Sequence, residues 1–378
     1  MKLAYLCNEY PPAEHGGIGT FIQAIARGMK TLGHTVTVVG IGRHKRVYDD
    51  SGVTVVTLPT IGTRGIAWAL DRWRLNRWLS ERVARREIDL IEAPEFGGML
   101  PFGNPGCPVV IRLHLSATMI RALPRGSAKW STVRYCERKT LKQNRNWIGV
   151  TDWMLNQTIT GFGIAPVTSR VIYYPAVLAP ATEPTFALPD HFVLYAGEVS
   201  QRKGACILAR AASTFLREYP ALHLVYAGAL QSGVDIYTQI MMSLRKNLLD
   251  RVHFLGRLSR ENLATCMRKA TLFASPSLLE SCSLVTIEAM LSGLPVIVPD
   301  AGPFPEFVTH NETGYLVAPN DPASLAAAVA TMMDHPELRS SLGKNAQLKV
   351  RDRFSLSRCL GATEALYNQM LAAGGRPQ

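Results

Sequence analysis

The chain contains no run of about eighteen apolar residues, the least that a helix needs to cross a bilayer. It has no Cys-x-x-Cys pair, and its 7 cysteines lie far apart, at 7, 107, 136, 206, 266, 282 and 359. Scattered thiols in odd number argue against a disulfide framework or a structural zinc site, and read as reduced cysteines of a cytoplasmic protein. The opening Met1-Lys2-Leu3-Ala4-Tyr5-Leu6-Cys7-Asn8-Glu9 turns polar too soon for a secretory signal. Charged residues make up only 19% against 47% hydrophobic, a balance that excludes a disordered or fibrous chain. There is no short-period repeat and no low-complexity tract. What is present is 378 residues, enough for two to three domains.

Acidic residues are scarce in the first half. Residues 1–188 hold 23 Lys+Arg against 13 Asp+Glu, a net +10, whereas residues 189–378 hold 18 against 16, a net +2. A basic half suits an anionic partner such as nucleic acid, a phosphorylated substrate or a membrane surface, and it also suits plain solubility.

Residues 3–7 form an apolar run of strand length. A loop rich in proline and glycine follows, then Phe21, Ile22, Ile25, Ala26, Met29 and Leu32 at helical spacing, Gly33 as the stop, and a strand at 35–39. Strand, loop, helix and strand make a βαβ unit, hence a parallel sheet. Further strands are expected at 53–58, 90–92, 109–113 and 148–150, with helices at 66–86 and 128–144. The stretch 175–190 carries four prolines and no period, and reads as a linker. The same grammar then restarts. Strands are expected at 192–196, 222–226, 252–254, 272–274 and 296–298, and helices at 205–218, 285–292, 322–333 and 355–372. The expected fold is α/β with two Rossmann-like domains facing one another. Open parallel sheets bind ligands beyond the carboxyl ends of their strands, so the cleft between the domains is the expected active site.

Four features in such loops could carry chemistry. Gly16-Gly17-Ile18-Gly19 precedes a helix, where free N–H groups and the dipole favour an anion; a plain tight turn would look the same. Ile22 stands where a dinucleotide fingerprint would need its third glycine, which counts against a nicotinamide oxidoreductase. Glu280 and Glu288 lie eight apart, one in a loop after a strand and one in the next helix, where they can accept hydrogen bonds from sugar and ribose hydroxyls; two ordinary solvated glutamates would show the same spacing. Ser281 and Ser283 add backbone N–H groups at that helix start. Arg202-Lys203-Gly204 offers cations for a diphosphate, or two ordinary surface charges. His114 ends a strand, where it is either structural or aimed at a ligand.

These residues together resemble a family 4 glycosyltransferase of the GT-B fold. The resemblance is carried by Tyr10-Pro11-Pro12 with Gly16-Gly17-Ile18-Gly19, by Arg112-Leu113-His114, by Lys203-Gly204, and above all by Glu280 to Glu288 running into Glu288-Ala289-Met290 and Gly293-Leu294-Pro295-Val296. Gly302, Glu306 and Gly314-Tyr315-Leu316-Val317 continue it. It implies a retaining, metal-independent transferase with no bound cofactor, using a nucleotide-diphosphate sugar. Glu280, His114 and Lys203 are then the catalytic residues. The donor would be held by Gly16, Gly17, Arg202, Lys203, Glu280, Ser281, Ser283, Leu284 and Glu288, with the base near Gly256, Arg257 and Leu258. The acceptor is expected to be a glycan or a lipid-linked intermediate of bacterial polysaccharide or glycolipid synthesis; Glu92 and Glu95, from their position at another strand's end and not from the resemblance, are expected to hold its hydroxyls, with Tyr10 as a further candidate. The expected domains are 1–178 for the acceptor and 179–355 for the donor, with helix 356–378 packing back toward the first. Three positions depart from the family pattern. Glu198 stands in place of an arginine, Ser283 in place of a glycine, and Tyr173-Tyr174-Pro175-Ala176-Val177-Leu178 in place of the usual interdomain segment.

Helix 66–86 carries three tryptophans and six arginines, and 121–145 adds eight Lys/Arg. Together they suit an anionic membrane surface and a peripheral location, or else domain packing with a solvated face. No nucleic-acid-binding motif is present. The rival readings are a GT-B phosphorylase or epimerase and a non-catalytic nucleotide-sugar binder.

Overall fold

The computed structural model describes residues 1–13, 16–62, 65–123, 131–183 and 186–374. Glu14 and His15 of the first loop, the start of the helix expected at 128–144, Arg125 and Lys129 of the basic stretch, and Pro184 of the expected linker lie outside the described residues. The chain divides into two units, Met1–Pro175 with Ser355–Gln378, and Ala176–Phe354.

Unit 1 is built on strands β1 (Lys2–Leu6), β2 (Thr35–Gly42), β3 (Arg46–Asp50), β4 (Val53–Pro59), β5 (Leu90–Pro94), β6 (Val109–Leu113), β7 (Asn146–Gly149) and β8 (Thr168–Val171). Their order is β3-β4-β2-β1-β5-β6-β7-β8, parallel except for β3 against β4. Strands β5 and β6 are buried at every position, as strands covered on both faces must be, and so are mostly apolar without alternation, each with one charged residue, Glu92 and Arg112. Helices α1 (Gly17–Thr31), α2 (Ala67–Ala84), α3 (Ala117–Ala122), α4 (Thr132–Gln143) and α5 (Asp152–Phe162) connect them. Helix α1 buries Phe21, Ile22, Ile25, Ala26 and Met29 of the stripe expected from the sequence; Leu32 caps its C-terminus and is exposed, and Gly33 follows at φ +88.

Unit 2 has strands β9 (Phe192–Ala196), β10 (His223–Ala227), β11 (Val252–Gly256), β12 (Leu272–Ala274), β13 (Val296–Pro299) and β14 (Tyr315–Val317) in the order β11-β10-β9-β12-β13-β14, all parallel. Its helices are α6 (Ala205–Glu218), α7 (Ile236–Met242), α8 (Arg260–Lys269), α9 (Leu284–Leu291), α10 (Pro322–Asp334) and α11 (Pro336–Arg353). Tyr195, Leu208, Phe215, Leu224, Ile240, Leu272 and Val329 belong to one buried core. The 175–190 stretch is not a loose linker in its described part. The Ala176 N–H donates to the Phe354 carbonyl at 2.9 Å, and Thr182 exchanges hydrogen bonds with Thr265.

The last helix, α12 (Leu356–Gly374), belongs to unit 1. Gly28 lets it approach α1, since a Cβ there would run 2.7 Å from the Leu360 methyls. Beneath it lies a buried ion pair. Arg112 donates through Nε and Nη2 to the two carboxylate oxygens of Glu92, at 2.8 and 2.9 Å, with side chains 0% and 1% exposed. Tyr367 of α12 donates to Glu92 at 2.5 Å, and Arg112 reaches Thr363 at 3.3 Å. The guanidinium stacks over Phe21, 4.7 Å from the ring centroid. Removing one member of a buried pair strands the other charge, at a typical cost of about 3–5 kcal/mol. Glu92→Ala is therefore expected to destabilise unit 1 by about that much in urea unfolding. A loss below about 1 kcal/mol, the range of a surface pair, would contradict the role given to this pair.

Candidate functional site

In unit 2 the strand order reverses between β9 and β12. A reversal of this kind opens a crevice at the carboxyl ends of the two central strands. The loops leaving those strands carry Lys203 and Glu280. Gly204 holds the loops together. It sits at φ +75, and a Cβ there would collide with the Pro276 carbonyl, so only glycine fits on both counts. Leu278 N–H donates to the Arg202 carbonyl at 2.8 Å, and Arg202 Nη1 donates to the Leu279 carbonyl at 3.1 Å. Gly228 does the same between the loops after β9 and β10, its Cβ position being filled by the Gly197 carbonyl.

This backbone contact brings Lys203 Nζ to Glu280 Oε1 at 2.5 Å, with side chains 17% and 7% exposed. Ser277 Oγ donates to the same carboxylate oxygen at 2.9 Å. Ser281 is half-buried and Ser283 buried at the start of α9, with Leu284 half-buried behind them. Ser283 caps α9 at φ +54, a left-handed conformation that costs a side-chain-bearing residue about 1–2 kcal/mol. This accounts for the glycine otherwise usual there, and the Ser283–Thr286 hydroxyl contact at 2.9 Å partly offsets the cost. One turn on, burial pushes the carboxyl of Glu288 up to about 7, opposed by Arg260, whose Nη2 lies 3.6 Å away. Gly256 and Arg257 are exposed at the end of β11, with Leu258 half-buried beside them. Glu198 is exposed, and its carbonyl accepts from the Tyr195 hydroxyl at 2.7 Å.

In unit 1 the expected anion site at the glycine loop already holds an anion. Glu9 Oε1 accepts from Gly16 N–H at 3.2 Å and Gly19 N–H at 2.8 Å, so a phosphate there must displace a carboxylate of the chain itself. His114 is buried between Phe21 and Tyr174, with its Nδ1 hydrogen-bonded to the Tyr174 hydroxyl. Burial, and secondly Arg112, hold its pKa well below the ordinary histidine value, so the ring is neutral. Its Nε2 is buried and has no partner among the described residues.

Three residues expected to meet the acceptor are otherwise engaged. Glu92 is locked in the Arg112 pair. Glu95 is fully buried and accepts from the backbone N–H groups of His114 and Leu115 at 2.7 and 2.6 Å. Leu115 has φ +131, a strained backbone that these bonds hold in place beside His114. Glu95 therefore positions the histidine. Burial raises its carboxyl to about 7, against the pull of those backbone donors. The Tyr10 hydroxyl donates to Asp50 at 2.6 Å. Helix α2 also has packing work. Arg72 donates to the carbonyls of Gly98 and Gly97, Asp71 accepts from Ile61 N–H, and Trp68 stacks on Phe102. Only Trp73 of its tryptophans is exposed, at 52%. Sequence reasoning missed Tyr174, Ser277 and Arg260, which hold His114, Glu280 and Glu288.

Residues 15–176 match the model described as Glycosyltransferase Family 4, and residues 183–349 the model described as Glycosyl transferases group 1. The chain belongs to the family 4 glycosyltransferases. Its fold is that of the GT-B enzymes, two parallel-sheet α/β units. The lipopolysaccharide core biosynthesis mannosyltransferase LpcC of Rhizobium leguminosarum is 31% identical over 48% of this chain, a match that spans about half (51%) of that relative. Glycogen synthase of Mycobacterium tuberculosis is 24% identical over 100% of this chain and 97% of its own. Among solved structures, sucrose-phosphate synthase from Thermosynechococcus elongatus superposes with a TM-score of 0.79 at 21% identity, covering 98% of this chain and 99% of that one. Anabaena HepE in complex with UDP and glucose gives 0.75 at 21%, covering 97% and 99%. Both likenesses concern the fold. No helix among the described residues is long and apolar enough to cross a membrane.

The raised Glu288 carboxyl makes a stability prediction. Its proton binds more tightly in the folded chain than in the unfolded one, so stability falls as pH rises from about 4.5 through about 7. Glu288→Gln removes that loss. Its thermal stability relative to the parent is expected to rise between about pH 5 and pH 8, on the order of 1–3 kcal/mol. An unchanged difference across that range would contradict the buried placement of this carboxyl.

Proposed function

We propose that the chain moves a sugar from a nucleotide-diphosphate sugar to a hydroxyl acceptor, with retention at the anomeric carbon and without a metal at the diphosphate. The observation that carries this is the Lys203–Glu280 pair at the β9/β12 reversal, with Glu288 one helix turn into α9. In the ligand-free chain the cation and the carboxylate neutralise each other. A diphosphate gives Lys203 a stronger anionic partner, with Arg202 in the same loop as the second cation, and frees Glu280 to accept hydrogen bonds from the sugar hydroxyls. Charge developing on the leaving diphosphate is then met by fixed cations and by the N–H groups at the start of α9, the role a metal plays in other transferases. Glu288 accepts from the ribose hydroxyls, and those donors lower its pKa on binding.

In the chemical step the bond from the anomeric carbon to the diphosphate oxygen breaks and a bond to the acceptor oxygen forms on the same face. The acceptor proton passes to the leaving phosphate oxygen. His114, neutral and with no partner for Nε2 among the described residues, suits a hydrogen bond to a sugar hydroxyl rather than proton abstraction, since its depressed pKa makes it a weak base. The relationship to LpcC and to glycogen synthase supports glycan assembly as the setting.

Lys203→Ala and Glu280→Ala are each expected to lower kcat/KM for donor turnover by more than about tenfold, or about 1.4 kcal/mol of transition-state stabilisation. Each leaves its partner's charge unpaired at a mostly buried position, so a lower thermal midpoint of the ligand-free chain is expected as well, and turnover is compared at a temperature where both variants remain folded. Parent-like turnover in either variant would overturn the assignment. Nucleotide binding with no turnover in the parent would favour the non-catalytic binder.

A further inference from the structure

Unit 1 holds a concavity that the transfer reading leaves unused. It lies at the carboxyl ends of β1 and β2, beside β4, and has a volume of about 370 Å³. That lies within the ~300–1,000 Å³ typical of small-molecule sites. Two arginines and a histidine line it, Arg43, His44 and Arg46, and no aspartate or glutamate is among its described lining residues. All three are exposed, and none of their side chains has an ion-pair or hydrogen-bond partner among the described residues.

The rest of the wall is poor in acceptors. The carboxamide oxygen of Asn8 accepts from Ile41 N–H at 2.8 Å, so its NH₂ group is what remains to face a ligand. The hydroxyls of Tyr10 and Tyr48 are engaged with Asp50 and with the Pro11 carbonyl, each at 2.6 Å, which leaves the rings as what these two lining residues bring to the wall. Asp50 is already neutralised by Arg27, through Nε at 3.0 Å and Nη2 at 2.5 Å. The cavity is thus donor-rich and cationic, with aromatic faces on which an apolar ring surface can lie. Guanidinium groups bind phosphate oxygens in pairs of parallel hydrogen bonds, which a lysine cannot reproduce. The net +10 of residues 1–188 adds a favourable field for an anion.

We propose that this cavity is the acceptor subsite and takes a phosphorylated sugar or polyol, its phosphomonoester between Arg43 and Arg46 and its ring against Tyr10 and Tyr48. This rests on the transfer reading for the word acceptor, while the anion site stands on the cavity itself.

The test is calorimetric titration of the full chain with glucose 6-phosphate, inorganic phosphate and glucose, with UDP, GDP, ADP and dTDP titrated in parallel. The parent is expected to bind glucose 6-phosphate more tightly than inorganic phosphate, and not to bind glucose alone. Arg43→Gln/Arg46→Gln is expected to weaken glucose 6-phosphate at least about tenfold, or about 1.4 kcal/mol, and to leave nucleotide binding unchanged. Lys203→Ala is expected to show the reverse pattern. Both arginines are exposed and unpartnered, so the double variant should keep the parent's thermal midpoint; if it does not, Arg43→Gln and Arg46→Gln alone carry the same reading. No binding of glucose 6-phosphate to the parent, binding equal to that of inorganic phosphate, or binding lost in Lys203→Ala and kept in the arginine variant would each overturn the proposal. Glucose 6-phosphate bound through Arg43 and Arg46 with no nucleotide bound would instead overturn the transfer reading and leave the anion site.

Discussion

The candidate donor site depends on one backbone contact, the approach of Gly204 to the Pro276 carbonyl. Lys203 and Glu280 come from loops 77 residues apart in sequence. Parallel pairing brings β9 and β12 side by side, but it does not set the distance between the loops leaving them. Gly204 does, because it has no Cβ and tolerates φ +75. With the loops fixed, the lysine ammonium meets the glutamate without a long search through rotamers, so the entropy of holding two long side chains together is small. Ser277 then fixes the carboxylate from the other side.

At the β9/β12 crevice and at the glycine loop, the groups suited to a ligand's charge are satisfied by the chain itself. Lys203 holds Glu280, and the N–H groups opening α1 hold Glu9. Such internal partners keep charges and donors paired when nothing is bound, since leaving them bare costs more than pairing them. They also set the exchange that binding must accomplish: one anion replaced by another, with the displaced carboxylate released to accept hydroxyl hydrogens. His114 differs, for its Nε2 has no partner among the described residues, beside a strained turn that Glu95 pins in place.

Much of this was legible from residues. The βαβ grammar yielded most strands within a residue or two, because buried parallel strands are continuous apolar runs and the glycine loops punctuate them. Glu280, Glu288 and Lys203 stood out by their places after strands. The burial of Glu92 was hidden because a fully buried strand shows no alternation to say which polar side chain points to solvent, and Glu95 lies just beyond that strand, where no period applies. Helix α11 was also hidden. It packs through Leu342, Gly343, Ala346 and Val350, with Gly343 against the Gly293 carbonyl, and small residues leave little apolar period to read. Strand β3, half exposed and charged at the sheet edge, carries none. The tryptophans of α2 suggested a membrane; of the arginines between them, Arg72 is tied to the Gly97 and Gly98 carbonyls by geometry that no periodicity encodes.

The central claim is that unit 2 holds a nucleotide diphosphate with the side chains of Lys203 and Glu288 and no metal. The most direct measurement is thermal stabilisation of the full chain by UDP, GDP, ADP and dTDP in the presence of EDTA. Binding to the folded state alone raises the midpoint with ligand concentration. One nucleotide is expected to raise it in a concentration-dependent way, and to do so less in Glu288→Gln than in the parent. No shift with any of the four, or an equal shift in parent and variant, would contradict the account.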